Sequence, residues 1–375
     1  MKSFFKSLFR IFGLVTFALA SFILLLVFFS LFFSGVGIGL GAGLARGGLA
    51  DISTVEEDGY VYVSGDEDSD NKLLELPVDG IILGSSADNN SAMDWLGVTY
   101  GYDLKDILAE AAEQEEIKGV LLHMQTPGGT IFGSRAIFDG VEAYQAATNK
   151  PVIAYIEGLS ASGGVMAMVG ADEIYADHGS MIGSIGVIGG ALMYFDKPVA
   201  TEGGLLGGGI ETTGGIEQTV IVAGRGKDFG NPFRRPTEEE IQTLQQGVDN
   251  EYADFVSHVA ANREMDETVI REQMGALIFD NKQAESYGLI DGTLNREDTI
   301  AKLAELAKVG DDYQLVRPHD ETDSFWWSLL SLFSTESTVA KSRRHLGQDI
   351  CDTALRLPLV YHGDPLKLCT AILRN

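Results

Sequence analysis

From residue 11 to residue 45 the chain carries no charged side chain, and residues 14–33 are dense in Leu, Val, Ile and Phe. A helix needs about 20 apolar residues to cross the hydrocarbon core of a bilayer, and this run supplies them. Lys2, Lys6 and Arg10 precede it, while the flank beyond Arg46 turns strongly acidic. Positive charge before the run places the N-terminus in the cytoplasm and everything after Arg46 on the far side. The apolar core of a cleaved signal peptide spans only roughly 7–15 residues, so the run reads as an uncleaved anchor.

Residues 1–46 are therefore a cytoplasmic stub and membrane anchor. Residues 47–73 read as an acidic linker, with Glu56-Glu57-Asp58 and Asp66-Glu67-Asp68 suited to a solvated tether. Within it, Tyr60-Val61-Tyr62-Val63 can add a short edge strand. Residues 74–310 form the globular part, and 311–375 a C-terminal extension of different character. Phe325-Trp326-Trp327 opens an apolar stretch in that extension, too short to span a bilayer.

Within 74–310 strand and helix patterns alternate. Residues 78–83 and 173–176 read as strands, 119–124 is a short apolar run of the kind buried on both faces of a parallel sheet, and 151–156 reads as the next buried strand. Residues 104–115 place Leu104, Ile107, Leu108 and Ala111 on one helical face, and 134–147 and 161–169 are helix-compatible. Thr237 opens a long helix with a capping-box pattern to Glu240. Ile241, Leu244, Val248, Tyr252, Phe255 and Val259 make its expected buried stripe. The class is α/β, built of repeated βαβ units with a parallel sheet or sheet spiral.

The formal charge is −27, from 27 Lys plus Arg against 54 Asp plus Glu. Such a surface repels phosphate backbones, which argues against a nucleic-acid partner. Cys351 and Cys369 lie outside any CxxC or Cys/His cluster, so no metal site is expected; a disulfide and two free thiols both fit.

Two Gly-rich turns each end a predicted strand and precede a helix: Thr126-Pro127-Gly128-Gly129 and Ser160-Ala161-Ser162-Gly163-Gly164. Ligands of parallel α/β folds gather at such strand ends. A serine there sits beside the free N–H groups of a helix start, which can hold an oxyanion. One turn supplies a nucleophile and a donor, the other a second donor, as acyl transfer requires. For the base, His178 is the only histidine with a plausible triad position, and no aspartate is evident to orient it. A lysine serves if burial lowers its pKa; Lys150, Lys197 and Lys227 are the candidates. Lys227 follows the strand-like residues 219–223 in Gly224-Arg225-Gly226-Lys227.

Residues 76–308 resemble the signal peptide peptidase family SppA (protease IV), in its short single-unit form, whose serine proteases are distant relatives of Clp protease and the crotonases. The two Gly-rich turns carry the resemblance, with Gly183-Ser184-Ile185-Gly186-Val187, residues 224–228, Pro236-Thr237 and Tyr287-Gly288-Leu289-Ile290. The resemblance implies Ser162 as nucleophile, Lys227 as general base, the N–H groups of Gly129 and Gly163 as oxyanion hole, and Ser184 as the hydroxyl that orients Lys227. It implies no cofactor and peptide substrates such as signal-peptide remnants. It also implies a homo-oligomer anchored by a single pass in a bacterial inner (cell) membrane, with the catalytic domain outside. Residues 203–215 depart from the pattern and read as an insertion, for which a mobile lid and a tolerated surface loop are the two readings, the second favoured. The rival readings are an inactive membrane scaffold and a crotonase-type acyl-CoA enzyme of the same fold.

Overall fold

The computed structural model describes residues 59–85, 97–190, 192, 194–197, 218–319 and 359–363. The expected anchor, residues 203–215, the aromatic stretch from Phe325 and both cysteines lie outside the described residues. Among the described residues no helix is long and apolar enough to cross a membrane.

The apolar runs form strands, and most of them are longer than their apolar cores. In chain order they are β1 (Tyr60–Gly65), β2 (Lys72–Leu83), β3 (Val98–Tyr100), β4 (Ile117–Thr130), β5 (Val152–Ala161), β6 (Glu173–Ala176), β7 (Met181–Gly183), β8 (Ile278–Asp280), β9 (Gly292–Thr293), β10 (Gln314–Pro318) and β11 (Leu359–Tyr361). The helices are α1 (Gly101–Ala112), α2 (Ile131–Thr148), α3 (Gly163–Met168), α4 (Glu238–Asn262), α5 (Asn281–Tyr287) and α6 (Arg296–Leu306). The main path of the sheet runs β1-β10-β2-β4-β5-β6-β9, with β3, β7, β8 and β11 joined at its sides. From β10 to β9 every neighbour is parallel, as helical crossovers require. The candidate edge strand, Tyr60–Gly65, pairs antiparallel with β10 at the rim.

Side-chain alternation divides the core. Val120, Leu122 and Met124 of β4 face the layer that holds α1, α2, α3 and the end of α4. Leu121 faces the other layer with Leu73, Ile153, Tyr155 and the α6 residues Ile300 and Leu303. His123 shares the parity of Leu121 and stacks against Tyr155, with ring centroids 5.4 Å apart. It bridges Glu75 and Glu157, at 3.1 and 2.6 Å, while Arg296 and Arg317 also bind Glu75. Burial alone would push the Glu75 carboxyl up; the His123 hydrogen bond and the two arginines outweigh it and hold the pKa at about 2. Burial likewise works against a charged His123, but the two carboxylates prevail and raise its pKa.

Two sequence expectations are corrected. The capping box of Thr237 and Glu240 is present, but the stripe behind it is buried only towards its C-terminal end. Ile241 is 45% exposed, whereas Phe255, Val256 and Val259 reach the core. A 25-residue helix is about 37 Å long, more than the layer beneath can cover. The strand-like residues 219–223 are irregular, with Ile221 96% exposed, because no strand among the described residues pairs with them.

Candidate active site

The site is made where β5 changes partner. Residues 153–156 of β5 pair with β6, and after Gly158 residues 159–161 pair with β7 instead. The strand then stops at Ala161 and α3 begins, with Ser162 between them. The Ser162 N–H donates to the Gly183 carbonyl at 2.8 Å, which extends the β7 ladder by one residue. Its backbone has φ 54 and ψ −110, a sparsely populated region for a residue with a side chain. Strain of this kind persists only where surroundings impose it, and it gathers at functional sites. The Ser162 hydroxyl donates to the Gly186 carbonyl across 3.4 Å, a long bond that leaves the oxygen weakly held. Ser160 is fully buried and donates to the Met168 sulfur at 3.3 Å, so it faces the core.

The two Gly-rich turns meet. A Cβ built on Gly163 would stand 3.0 Å from the Gly129 nitrogen and 2.3 Å from the Ser134 hydroxyl. At Gly128, φ is +93 and a Cβ would stand 2.5 Å from the Gly163 nitrogen. No side chain fits between these amides, and only glycine keeps the space open. Thr126 accepts from the Gly128 N–H at 3.0 Å, and Thr130 caps α2 by accepting from Gly133 at 3.2 Å. The Gly129 nitrogen thus lies close to Gly163, the residue that follows Ser162.

Lys227 and Ser184 are placed differently. Lys227 lies on an exposed turn, and among the described residues it makes no hydrogen bond to Ser162 or Ser184. That turn is fastened to the start of α4 by Arg234, which binds Asp228 at 2.8 Å and Glu240 at 2.6 Å. Arg234 holds both carboxyls at about 2. Ser184, with φ 57, shares a 3.1 Å hydrogen bond with Nδ1 of His362. Lys150 donates to the Gln114 carbonyl at 2.9 Å and is engaged there. His178 is exposed, and His258 is buried against the Met166 carbonyl at 2.9 Å, where burial lowers its pKa. Among the described residues no cluster of three or more His, Cys, Asp or Glu is placed to hold a metal ion.

The Peptidase family S49 model matches residues 144–310, a span that includes Ser162, Ser184 and Lys227. A Synechocystis protein named as a protease is 32% identical over 203 residues, 54% of this chain and 68% of its own length. The chain belongs to peptidase family S49. A Methanocaldococcus jannaschii protein, also named as a protease, is 35% identical over 204 residues, 54% of this chain and 61% of that protein. An Enterococcus faecium protein named as the signal peptide peptidase SppA is 28% identical over 257 residues, 68% of this chain and 69% of its own. The S49 chain therefore spans about three fifths to two thirds of these relatives.

One site feature has no signal in the sequence. β5 leaves the flank of β4 at Ala161, so the edge of Gly128–Thr130 is free, and β11 takes it in antiparallel register. Residues 359–361 lie some 230 positions from Gly129, in a segment whose only local mark is its apolar Leu-Val-Tyr.

Proposed function

We propose that this chain is a membrane-anchored serine endopeptidase with Ser162 as nucleophile and Lys227 as general base. The observation that carries the reading is the strained Ser162 junction beside the clustered amides of Gly129 and Gly163. Neutral Lys227 takes the Ser162 proton as the hydroxyl attacks a peptide carbonyl. The two N–H groups hold the resulting oxyanion, Lys227 protonates the leaving amine, and water hydrolyses the ester. A Clp- and crotonase-like arrangement of the βα units goes with this reading. The name of the E. faecium relative supports apolar, signal-peptide-like substrates, and the anchor at 11–45 would hold the site outside the cytoplasm.

Within one chain Lys227 makes no hydrogen bond to Ser162, and its turn carries exposed Val220, Ile221, Val222 and Phe229. Assembly with a second copy would cover these side chains and bring Lys227 to a serine. The test is a fluorophosphonate probe on the full chain, mapped by mass spectrometry. Labelling at Ser162 that is lost in a folded Lys227→Ala variant is the expected result. An unlabelled wild type, or equal labelling in Lys227→Ala, rejects the dyad.

A further inference from the structure

Ser162 immediately precedes α3, a helix of only 6 residues, and the strained backbone at that junction needs support from outside it. Part of that support comes from α4. The Met166 N–H donates to the Ser162 carbonyl at 3.1 Å, closing the first turn of α3. The Met166 carbonyl lies in the last turn, where a helix runs out of donors of its own. Nε2 of His258 meets that carbonyl at 2.9 Å. One residue of α3 thus holds the peptide of Ser162 on one side and His258 on the other.

The ring is locked in one form. A carbonyl oxygen only accepts, so the imidazole proton sits on Nε2 and Nδ1 is left as an acceptor. Asn262, one turn on, faces that acceptor: its Nδ2 donates to the His258 carbonyl at 2.8 Å and lies 3.3 Å from Nδ1. Because the His258 carbonyl cannot donate, Nδ2 and not Oδ1 is the atom beside the ring. Phe138 of α2 packs edge-on against the imidazole, with centroids 4.3 Å apart. Burial lowers the His258 pKa and keeps the ring neutral, while Arg135 and Asp139 of α2 act on it in opposite senses. The residues of α3 carry no charge. A proton on Nδ1 instead would set the Nε2 lone pair against the Met166 oxygen and a donor against Asn262.

The geometry points to His258 as a positioning residue for Ser162, acting through the Met166 peptide. Its Nε2–H anchors the far end of α3, so that the near end keeps the Ser162 hydroxyl and the Gly163 N–H in one orientation. This rests on the serine peptidase reading above and adds to it a group outside the Ser162 and Lys227 pair. A histidine that only filled space could be replaced by any side chain of its size. A positioning role requires a donor at one place.

Two amide side chains separate these roles. His258→Gln carries its nitrogen at about the reach of Nε2 and His258→Asn at about that of Nδ1, and each leaves a polar group in the same buried position. In the full chain both should melt below wild type. On a peptide ester His258→Gln should keep kcat within about threefold, while His258→Asn should lose about tenfold or more with KM unchanged, since a misplacement of about 1 Å can cost about 100-fold. Fluorophosphonate labelling of Ser162 should slow in the same order. Imidazole nitrogen shifts of the wild type, assigned by the signal missing from His258→Gln, should show the neutral Nε2–H tautomer. Equal kcat in the two folded variants, a loss confined to KM, or an Nδ1–H tautomer overturns the positioning role and leaves the peptidase reading intact. If neither variant folds, the wild-type tautomer carries the test: Nε2–H upholds the hold on Met166 and Nδ1–H overturns it. A wild type that neither labels nor hydrolyses rejects the peptidase reading and this role together.

Discussion

Gly128→Ala isolates the oxyanion hole from the rest of the fold. The new methyl would stand 2.5 Å from the Gly163 nitrogen and 2.9 Å from the Ala161 carbonyl oxygen, both backbone atoms that cannot swing aside. It would also stand 2.2 Å from the Val360 oxygen, a third backbone atom. Two costs follow. Left-handed backbone costs a residue with a Cβ about 1–2 kcal/mol. Loss of one hole donor costs about 3 kcal/mol of transition-state stabilisation, or about 100- to 1,000-fold in kcat.

Gly179→Ala separates the two terms, because Gly179 has φ +84 and nothing within 4 Å of its would-be Cβ. It should bear the backbone cost alone. In a domain of this size each kcal/mol moves the melting temperature by about 2–4 °C. Gly179→Ala should therefore melt a few degrees lower and hydrolyse an added peptide ester at the wild-type rate. Gly128→Ala should melt at least as low and lose about 100-fold or more in kcat. Thermal melts by circular dichroism and steady-state kinetics read both. A Gly128→Ala variant within twofold of wild-type kcat, or equal losses in the two variants, would refute the placement of the hole.

The His123 cluster predicts a pH dependence. Its pKa is raised in the fold, so its stabilisation is complete below the ordinary value of 6.5 and fades as pH rises through the raised one. The gap in melting temperature between wild type and His123→Gln should shrink from pH 6 towards pH 9; a constant gap contradicts the assignment. Glu75, at about 2 against an ordinary 4.5, should contribute evenly through that range and weaken only as pH falls through about 4 towards 2. Thr237→Ala removes the α4 cap and should cost about 1 kcal/mol, read as a melt about 2–4 °C lower, with kcat changed less than stability. Mixing inactive Ser162→Ala with inactive Lys227→Ala should restore activity if assembly brings Lys227 to the serine of another copy, and a mixture as inactive as its parts contradicts that.

Which parts of this structure the sequence discloses follows from the range of the forces involved. Val120–Met124 reads as a strand because both its faces are buried, and Leu104, Leu108 and Ala111 read as a helix because one face is. Ser162 is legible as a serine between a strand and a helix. Its strain is not, because φ 54 is imposed by Gly183 and by the packing of α3. Lys227 is singled out by family resemblance rather than by physics, since an exposed turn gives no local sign of a base. The apolar stripe of α4 is legible, but how far the core reaches beneath it is a tertiary fact.

The end of β4 makes the same point and yields a last prediction. Thr126-Pro127-Gly128-Gly129 reads as a turn, because Pro and Gly weaken a strand, yet the strand continues to Thr130. One edge is supported by β2, where Ile81 and Ile82 face Gly128 and Gly129. The other is supported, among the described residues, by β11 alone, since β5 has already turned into α3. The strand character of Gly128–Thr130 therefore depends on β11. Amide hydrogen exchange across residues 127–131 should be slow in the wild-type chain, where β11 is paired. It should be faster in Val360→Asp, whose carboxylate takes a buried position and displaces the strand. Equal exchange in the two would mean that β2 alone holds this edge, and that β11 is a passive neighbour.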